Sequence, residues 1–460
     1  MHPSYRLRDR HINGFPELDA SVDAKVILRS CPVTFVVSDL ITTNSTPSGI
    51  PVVVERLPDS HSASLSVYLG TGSRDEREQQ AGIAHMLEHM LFKGTSRRTA
   101  REMSEQIEAA GGEQNGYTTK EVTSYQAFAL DETVDVAEDI LADMVLNPLL
   151  DTSCLATEKN VVLQEINMLQ NDPDDYIHVL FGETLWGDHP MGRSEAGSST
   201  TVSSLTERDV REFFESNYRP PRMAIVAVGN VDPDQVTEWA SSSFDHLSPA
   251  RQRNGRTPPI PRAAFEVRPR DDRQAYVGMG FPGCSSIDPD RFAQRLTASV
   301  LGMGTSSRLF QEIREKEGLV YEIFASSGSY TDCGMMSIFF NTTVDDQEKV
   351  VRLVGNEMRR LKEEGLEKGE LERAKHLLKG IYVRRLESSE TRMIRLGEMF
   401  MSTGKADTPE ESLRNIDAVT EEDVHRIARE VMSRDRLCVT MHAPKKESEQ
   451  AARNLEDLDF

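Results

Sequence analysis

Two histidines four residues apart carry the most specific chemistry in this chain. His85 and His89 stand in the run Gly82-Ile83-Ala84-His85-Met86-Leu87-Glu88-His89-Met90-Leu91-Phe92-Lys93-Gly94. Its interior holds no Gly or Pro, so it reads as a helix with Gly94 as its C-terminal stop. At i and i+4 the imidazoles lie one above the other on one face, and Glu88 at i+3 shares that side. Two imidazoles so spaced can hold one zinc ion, and a carboxylate beside them can take a proton from a water. Ile83, Ala84, Met86, Leu87, Met90 and Leu91 make the segment apolar enough for burial. Buried polar groups need partners, and zinc would be one. The plain alternative is a pair of satisfied core histidines, because a chain with 11 His can show this pattern by chance.

A catalytic zinc takes three protein ligands and leaves a fourth position open. The best third candidate lies between Cys154 and Leu169, where Glu158, Val162, Glu165 and Leu169 share one helical stripe. That stripe also carries apolar contacts, so both carboxylates are expected to face inward. An inward Glu needs a cation or a donor. A buried salt bridge to Arg or Lys meets that need as well as a metal does, and His178 and His189 remain rival ligands.

The elements that must position these residues come in two copies. Leu65–Gly70 has a counterpart in Ala275–Gly280, and Gly94-Thr95 in Gly304-Thr305, both at an offset of 210 residues. Glu158 matches Glu372, and Thr206–Val210 matches Thr420–Val424, both at an offset of 214. Four markers in order indicate a duplicated domain. Residues 248–262, rich in Pro, Gly and Arg, read as a linker. The expected organisation is an N-terminal extension 1–38, a metal-binding domain 39–247, the linker, and a duplicate domain 263–460. Within each half, strand patterns (Gly49–Val54, Ala63–Leu69, Thr118–Leu130, Arg222–Gly229) mix with helical ones (Val134–Leu146, Ser153–Gln170). The mixture predicts an α+β fold, helices on one face of a mostly antiparallel sheet.

Composition narrows the function. Asp+Glu number 75 against 53 Lys+Arg, a net charge of −22, which opposes nucleic-acid binding. It fits a cationic partner, although most of the charge is a solvated surface. No apolar run approaches the ~20 residues that span a bilayer, so no membrane partner is expected. The first thirty residues show no secretory signal. Arg6, Arg8 and Arg10 hint at a transit peptide, but Asp9, Glu17, Asp19 and Asp23 oppose it. Five scattered cysteines (Cys31, Cys154, Cys284, Cys333, Cys438) without a CxxC pair suit a reducing compartment.

The motif resembles that of the inverted zincins of the pitrilysin/insulinase family, whose zinc motif reads H-x-x-E-H. Glu165 follows His89 by 76 residues and Glu158 precedes Glu165 by seven, both spacings similar to the family's. Met90–Thr95 and His189–Arg193 also look like it, and the resemblance covers roughly residues 40–445. The mitochondrial-type processing peptidases and their bacterial relatives are the most similar branch. The resemblance implies two homologous α/β-roll domains per chain, forming half of a clamshell around a closed chamber. It implies Zn2+ on His85, His89 and Glu165, with Glu88 as general base and Glu158 holding a histidine in place. Gly111–Thr119 resembles the family's substrate-binding edge strand, with Asn115 holding substrate backbone. On its residues alone that stretch reads as a turn, and Gly116 replaces the family's usual Ala, which is expected to loosen the strand.

In the second half, Arg295, Ala298 and Ser299 replace His85, Glu88 and His89, and Lys379 replaces Glu165. The duplicate therefore lacks the metal ligands. Its Arg308–Tyr321 resembles the family's Arg/Tyr element, which implies that Arg314 binds substrate carbonyls and Tyr321 the carbonyl under attack. Without the resemblance, these are a surface Arg and a core Tyr. Some members of the branch divide the two elements between subunits; this chain has both. The expectation is a homodimeric zinc endopeptidase for unfolded peptides, each site completed by Arg314 and Tyr321 of the other protomer. A bacterial cytoplasm is the expected location, with the mitochondrial matrix second. The alternatives are a non-catalytic scaffold subunit and a catalytic subunit needing a different partner chain.

Overall fold

The computed structural model describes residues 40–250 and 255–444. The expected N-terminal extension with Cys31, part of the linker, and the last residues of the second domain lie outside the described residues.

Strands β1 (Ile41–Ser45), β2 (Pro51–Arg56), β3 (Ser62–Leu69), β4 (Glu113–Thr118), β5 (Thr123–Leu130) and β6 (Met223–Gly229) form one sheet, in the order β1-β2-β6-β3-β5-β4. Strands β7 (Ala264–Pro269), β8 (Gln274–Gly283), β9 (Val320–Ser329), β10 (Gly334–Thr343) and β11 (Cys438–Ala443) form the other, in the order β7-β11-β8-β10-β9. Neighbours run antiparallel except β2 beside β6 and β7 beside β11. Apart from β1, the two sheets share one topology, as a duplication requires.

The central strands are buried on both faces. β6 reads Met-Ala-Ile-Val-Ala-Val-Gly with every residue buried, the continuous apolar run of a strand covered on two sides. Met223, Ile225 and Ala227 face the helices of the first half, together with Leu65, Val67 and Leu69 of β3. Ala224, Val226 and Val228, with Val53 and Tyr68, face Met393 and Leu396 of the helix Ser389–Thr403. That helix belongs to the second half of the chain. The exchange is reciprocal: the helix Pro173–Trp186 of the first half lays Ile177, Phe181 and Leu185 against Tyr276 and Phe339 of the second sheet.

Two expectations are refined. Thr118–Leu130 does not form one strand. Thr119 N donates to Val122 O at 2.8 Å and the Thr119 hydroxyl accepts from Val122 N at 3.1 Å, which turns the chain between β4 and β5. In Gly111–Thr119 the start turns, at Gly111 with φ +70°, and Thr119 opens the turn to β5; Glu113–Thr118 between them is β4, an edge of its sheet.

Candidate metal centre

The helix Ile83–Leu91 and the helix Thr152–Asn171 pack side by side and bring the acidic and imidazole groups together. His85 Nε2 lies 3.8 Å and His89 Nε2 3.5 Å from the same oxygen of Glu165. One ligand atom from each of His85, His89 and Glu165 falls within 4.8 Å of the others. Zinc bonds to N and O of about 2.1 Å set tetrahedral ligands about 3.4 Å apart. The donor set and spacing therefore fit a zinc ion with little adjustment. Among the described residues no other group of three His, Cys, Asp or Glu converges so.

Glu158 does not join the three. It is 3% exposed, and one oxygen lies 3.2 Å from His89 Nδ1 while the other lies 2.9 Å from Lys93 Nζ. With Nδ1 turned to Glu158, His89 directs Nε2 toward Glu165, the nitrogen a metal would take in place of a proton. A carboxylate behind a ligating imidazole fixes its tautomer and raises its basicity. Lys93 stands four residues beyond His89, one helical turn on, and its partnership with Glu158 escaped the sequence reading.

Charge and burial compete throughout. Burial lowers the His85 imidazole, and the neighbouring His89 lowers it further. Burial would lower His89 too, but hydrogen bonds to Glu158 and Glu165 push it well above the usual histidine range. Burial would raise Glu158 and Glu165; contact with His89 outweighs this and holds both below the usual carboxylate range. Glu88 goes the other way. It is 7% exposed, and burial pushes its carboxyl up to about 7, opposed by the hydrogen bond from Thr118.

Thr118 Oγ1 donates to Glu88 Oε2 at 2.7 Å. Thr118 ends β4, so the edge strand and the carboxylate are directly tied, a contact the sequence reading also missed. Gly116 sits between them: a Cβ there would lie 3.0 Å from Phe92 Cε2 and 3.3 Å from Glu88 Cγ. The glycine permits close approach of strand to helix. Asn115, one residue earlier, accepts from Gly116 N with its own side chain at 2.7 Å.

Arg314 lies in a π-helical turn, Phe310–Lys316, and its Nε donates to Tyr321 O at 3.2 Å. Tyr321, on β9, is 68% exposed, not a core tyrosine. β9 is the edge of the second sheet, as β4 is of the first. The rival ligands go elsewhere. His178 packs at a tilt against Phe339 at 3.9 Å between centroids, and His189 Nε2 faces Thr257 O at 3.1 Å. Lys379, the counterpart of Glu165, pairs with Asp417 at 2.6 Å.

Two family models match the chain: insulinase (peptidase family M16) over residues 51–199, and the peptidase M16 inactive domain over residues 204–378. The chain belongs to the insulinase family. An uncharacterized zinc protease of Streptomyces coelicolor is 35% identical, over 88% of this chain and 90% of that protein. One of Mycobacterium tuberculosis is 37% identical over 84% and 90%, and one of Bacillus subtilis 34% over 84% and 95%. A solved protease from Helicobacter pylori superimposes with a TM-score of 0.80 at 22% identity, covering 88% of this chain and 99% of that one. A peptidase M16 inactive domain from Pseudomonas fluorescens gives 0.82 at 21%, over 88% and 98%. The structural likenesses establish the two-domain fold. The family and its zinc-protease relatives support a metal-dependent peptidase, with the inactive-type domain in the second half.

Proposed function

We propose that this insulinase-family chain is a zinc-dependent endopeptidase that hydrolyses unfolded peptides. The observation that carries the reading is the convergence of His85, His89 and Glu165 beside the buried carboxylate of Glu88, against a sheet edge. A bound zinc would act there as a Lewis acid on a water and on the peptide carbonyl. Glu88 takes the proton of the attacking water and returns it to the departing amine. Its neighbours favour this: burial holds the carboxyl near neutrality and Thr118 fixes the position of one oxygen. β4 is an edge strand among the described residues, to which an extended peptide adds through backbone hydrogen bonds, with Asn115 holding the substrate backbone. Glu158 and Lys93 keep His89 in the ligating tautomer.

Arg314 and Tyr321 act on the substrate of a partner subunit in a homodimer that closes around the peptide. Tyr321 donates to the carbonyl oxygen as it gains charge, and Arg314, whose Nε also holds the Tyr321 carbonyl, binds substrate carbonyls. The exposure of Tyr321 supports this assignment. The four described cysteines are free thiols, which suits a reducing cytoplasm, and no helix of the described residues is long and apolar enough to cross a membrane.

The test is hydrolysis of a quenched, unfolded basic peptide of about twenty residues. Activity should vanish with a chelator and return with zinc. A folded, zinc-loaded dimer without activity would contradict the reading. For the shared site, a Glu88→Gln chain mixed with a Tyr321→Phe chain should recover about one working site per heterodimer. No recovery would exclude assembly in trans.

A further inference from the structure

One buried carboxylate near the centre has no part in the chemistry above. Glu76 is 5% exposed and lies in the segment that precedes the Ile83–Leu91 helix. That helix is only nine residues long and starts from Gly82, which is left-handed at φ +93° and has no side chain to cap the first turn. The first N–H groups of a helix have no partner within it. Here they are enclosed, because Ile83 and Ala84 are fully buried. Glu76 supplies the acceptors: one oxygen takes Gly82 N and the other Ala84 N, each at 2.8 Å. Ala84 immediately precedes His85.

Glu76 is itself held. Arg193 Nη1 donates to its main-chain oxygen at 3.2 Å, and the adjacent Asp75 pairs with Arg256 at 2.7 Å. The carboxylate therefore joins a fixed loop to the first turn of the helix. The two imidazoles are not equally secured. His89 is held from behind by Glu158, whereas His85 Nδ1 is buried without a hydrogen-bond partner among the described residues. The His85 ring packs edge-on against His89 at 4.7 Å between centroids, but with no hydrogen bond on Nδ1 its direction depends chiefly on the helix backbone that carries it.

We propose that Glu76 is a positioning residue for the metal: by bonding Gly82 N and Ala84 N, it aims His85 at Glu165. The inference rests on His85, His89 and Glu165 being zinc ligands. Loss of the carboxylate frees the first turn, moves His85, and leaves His89 in place.

Zinc affinity, by competition with a chromophoric chelator, and the visible absorption of cobalt(II)-loaded protein read this directly. Wild type, Glu76→Gln, Glu76→Ala and Thr420→Ala are compared. Thr420 caps a helix in the second half, and its loss should lower the melting temperature without touching the metal. Glu76→Gln should bind zinc 10–100-fold more weakly, the range for residues that orient ligands, and shift the cobalt bands. Affinity within twofold of wild type in a folded variant would overturn the inference. So would both Glu76 variants failing to fold, with or without zinc, which would make Glu76 a general stabiliser. Wild type that binds no zinc would instead refute the ligand assignment itself.

Discussion

Glu88 is held close to the edge strand by the absence of one methyl group. A Cβ at position 116 would press on the Phe92 ring and the Glu88 side chain at 3.0 and 3.3 Å, so Gly116→Ala must displace one of them by a few tenths of an ångström. Small misplacements of reacting groups are costly, up to about 10²-fold for 1 Å. The expected result is a kcat lower by about tenfold with zinc content unchanged; an unaltered kcat would show that Phe92 gives way instead. Gly116, expected to loosen the strand, is also where the strand packs closely on Phe92 and Glu88. His85, Glu88 and His89 were legible because helical spacing fixes which side chains share a face. Glu165 had rivals, since spacing alone places His178 and His189 nowhere. Thr118 and Lys93 were not legible as partners, because each meets its carboxylate across packed elements.

Two of the four markers of duplication are positions where backbone geometry limits the residue. Gly94 and Gly304, at φ +112° and +79°, both follow their helices in conformations that L side chains rarely adopt. Thr206 with Asp209, and Thr420 with Asp423, form the same reciprocal cap at the start of equivalent helices. Such signals are local and survive in sequence. The break between β4 and β5 and the π-helical turn at Arg314 depend on hydrogen bonds the pattern does not encode. The loop after the Ile83–Leu91 helix is secured in a similar way. Asp143, on the helix Val134–Leu146, accepts from Thr95 Oγ1 and Arg98 Nη1, each at 2.7 Å. Burial would raise the Asp143 carboxyl, but bonds from Thr95, Asn147 and Arg98 hold it below the usual aspartate range. A carboxyl depressed in the folded state adds stability above its unfolded pKa and loses it as pH falls through the folded value. Asp143→Asn should therefore lower stability at pH 7 by roughly 2 kcal/mol and flatten the loss of stability below about pH 4. Denaturant melts of both proteins across pH 2–7 check this; parallel profiles would contradict it.

At the scale of the whole chain, each sheet is backed by a helix of the opposite half, an exchange no single-strand or single-helix pattern announces. The sequence divides at the linker; the packing does not. A buried ion network reinforces the join. Arg74 reaches Glu121, in the turn between β4 and β5, at 2.5 Å, and Asp332, in the turn between β9 and β10, at 2.7 Å. Thr331 adds bonds from its N and hydroxyl to Glu121 at 2.9 and 2.6 Å. The tips of the two hairpins that carry the edge strands are thus fastened to one another. Removing one partner of a buried pair costs about 3–5 kcal/mol. Arg74→Met should lower stability by that order and separate calorimetric melting into two transitions. A single transition at the original temperature would mean that the exchanged helices alone unite the halves.

The central claim is that His85, His89 and Glu165 hold the metal while Glu88 moves the proton. Zinc content and peptide hydrolysis measured together on wild type, Glu88→Gln and Glu165→Gln separate these roles. Glu88→Gln should keep its zinc and lose activity by about 10²–10⁴-fold, whereas Glu165→Gln should lose both. Full activity in Glu88→Gln, or stoichiometric tight zinc in Glu165→Gln, would contradict the account.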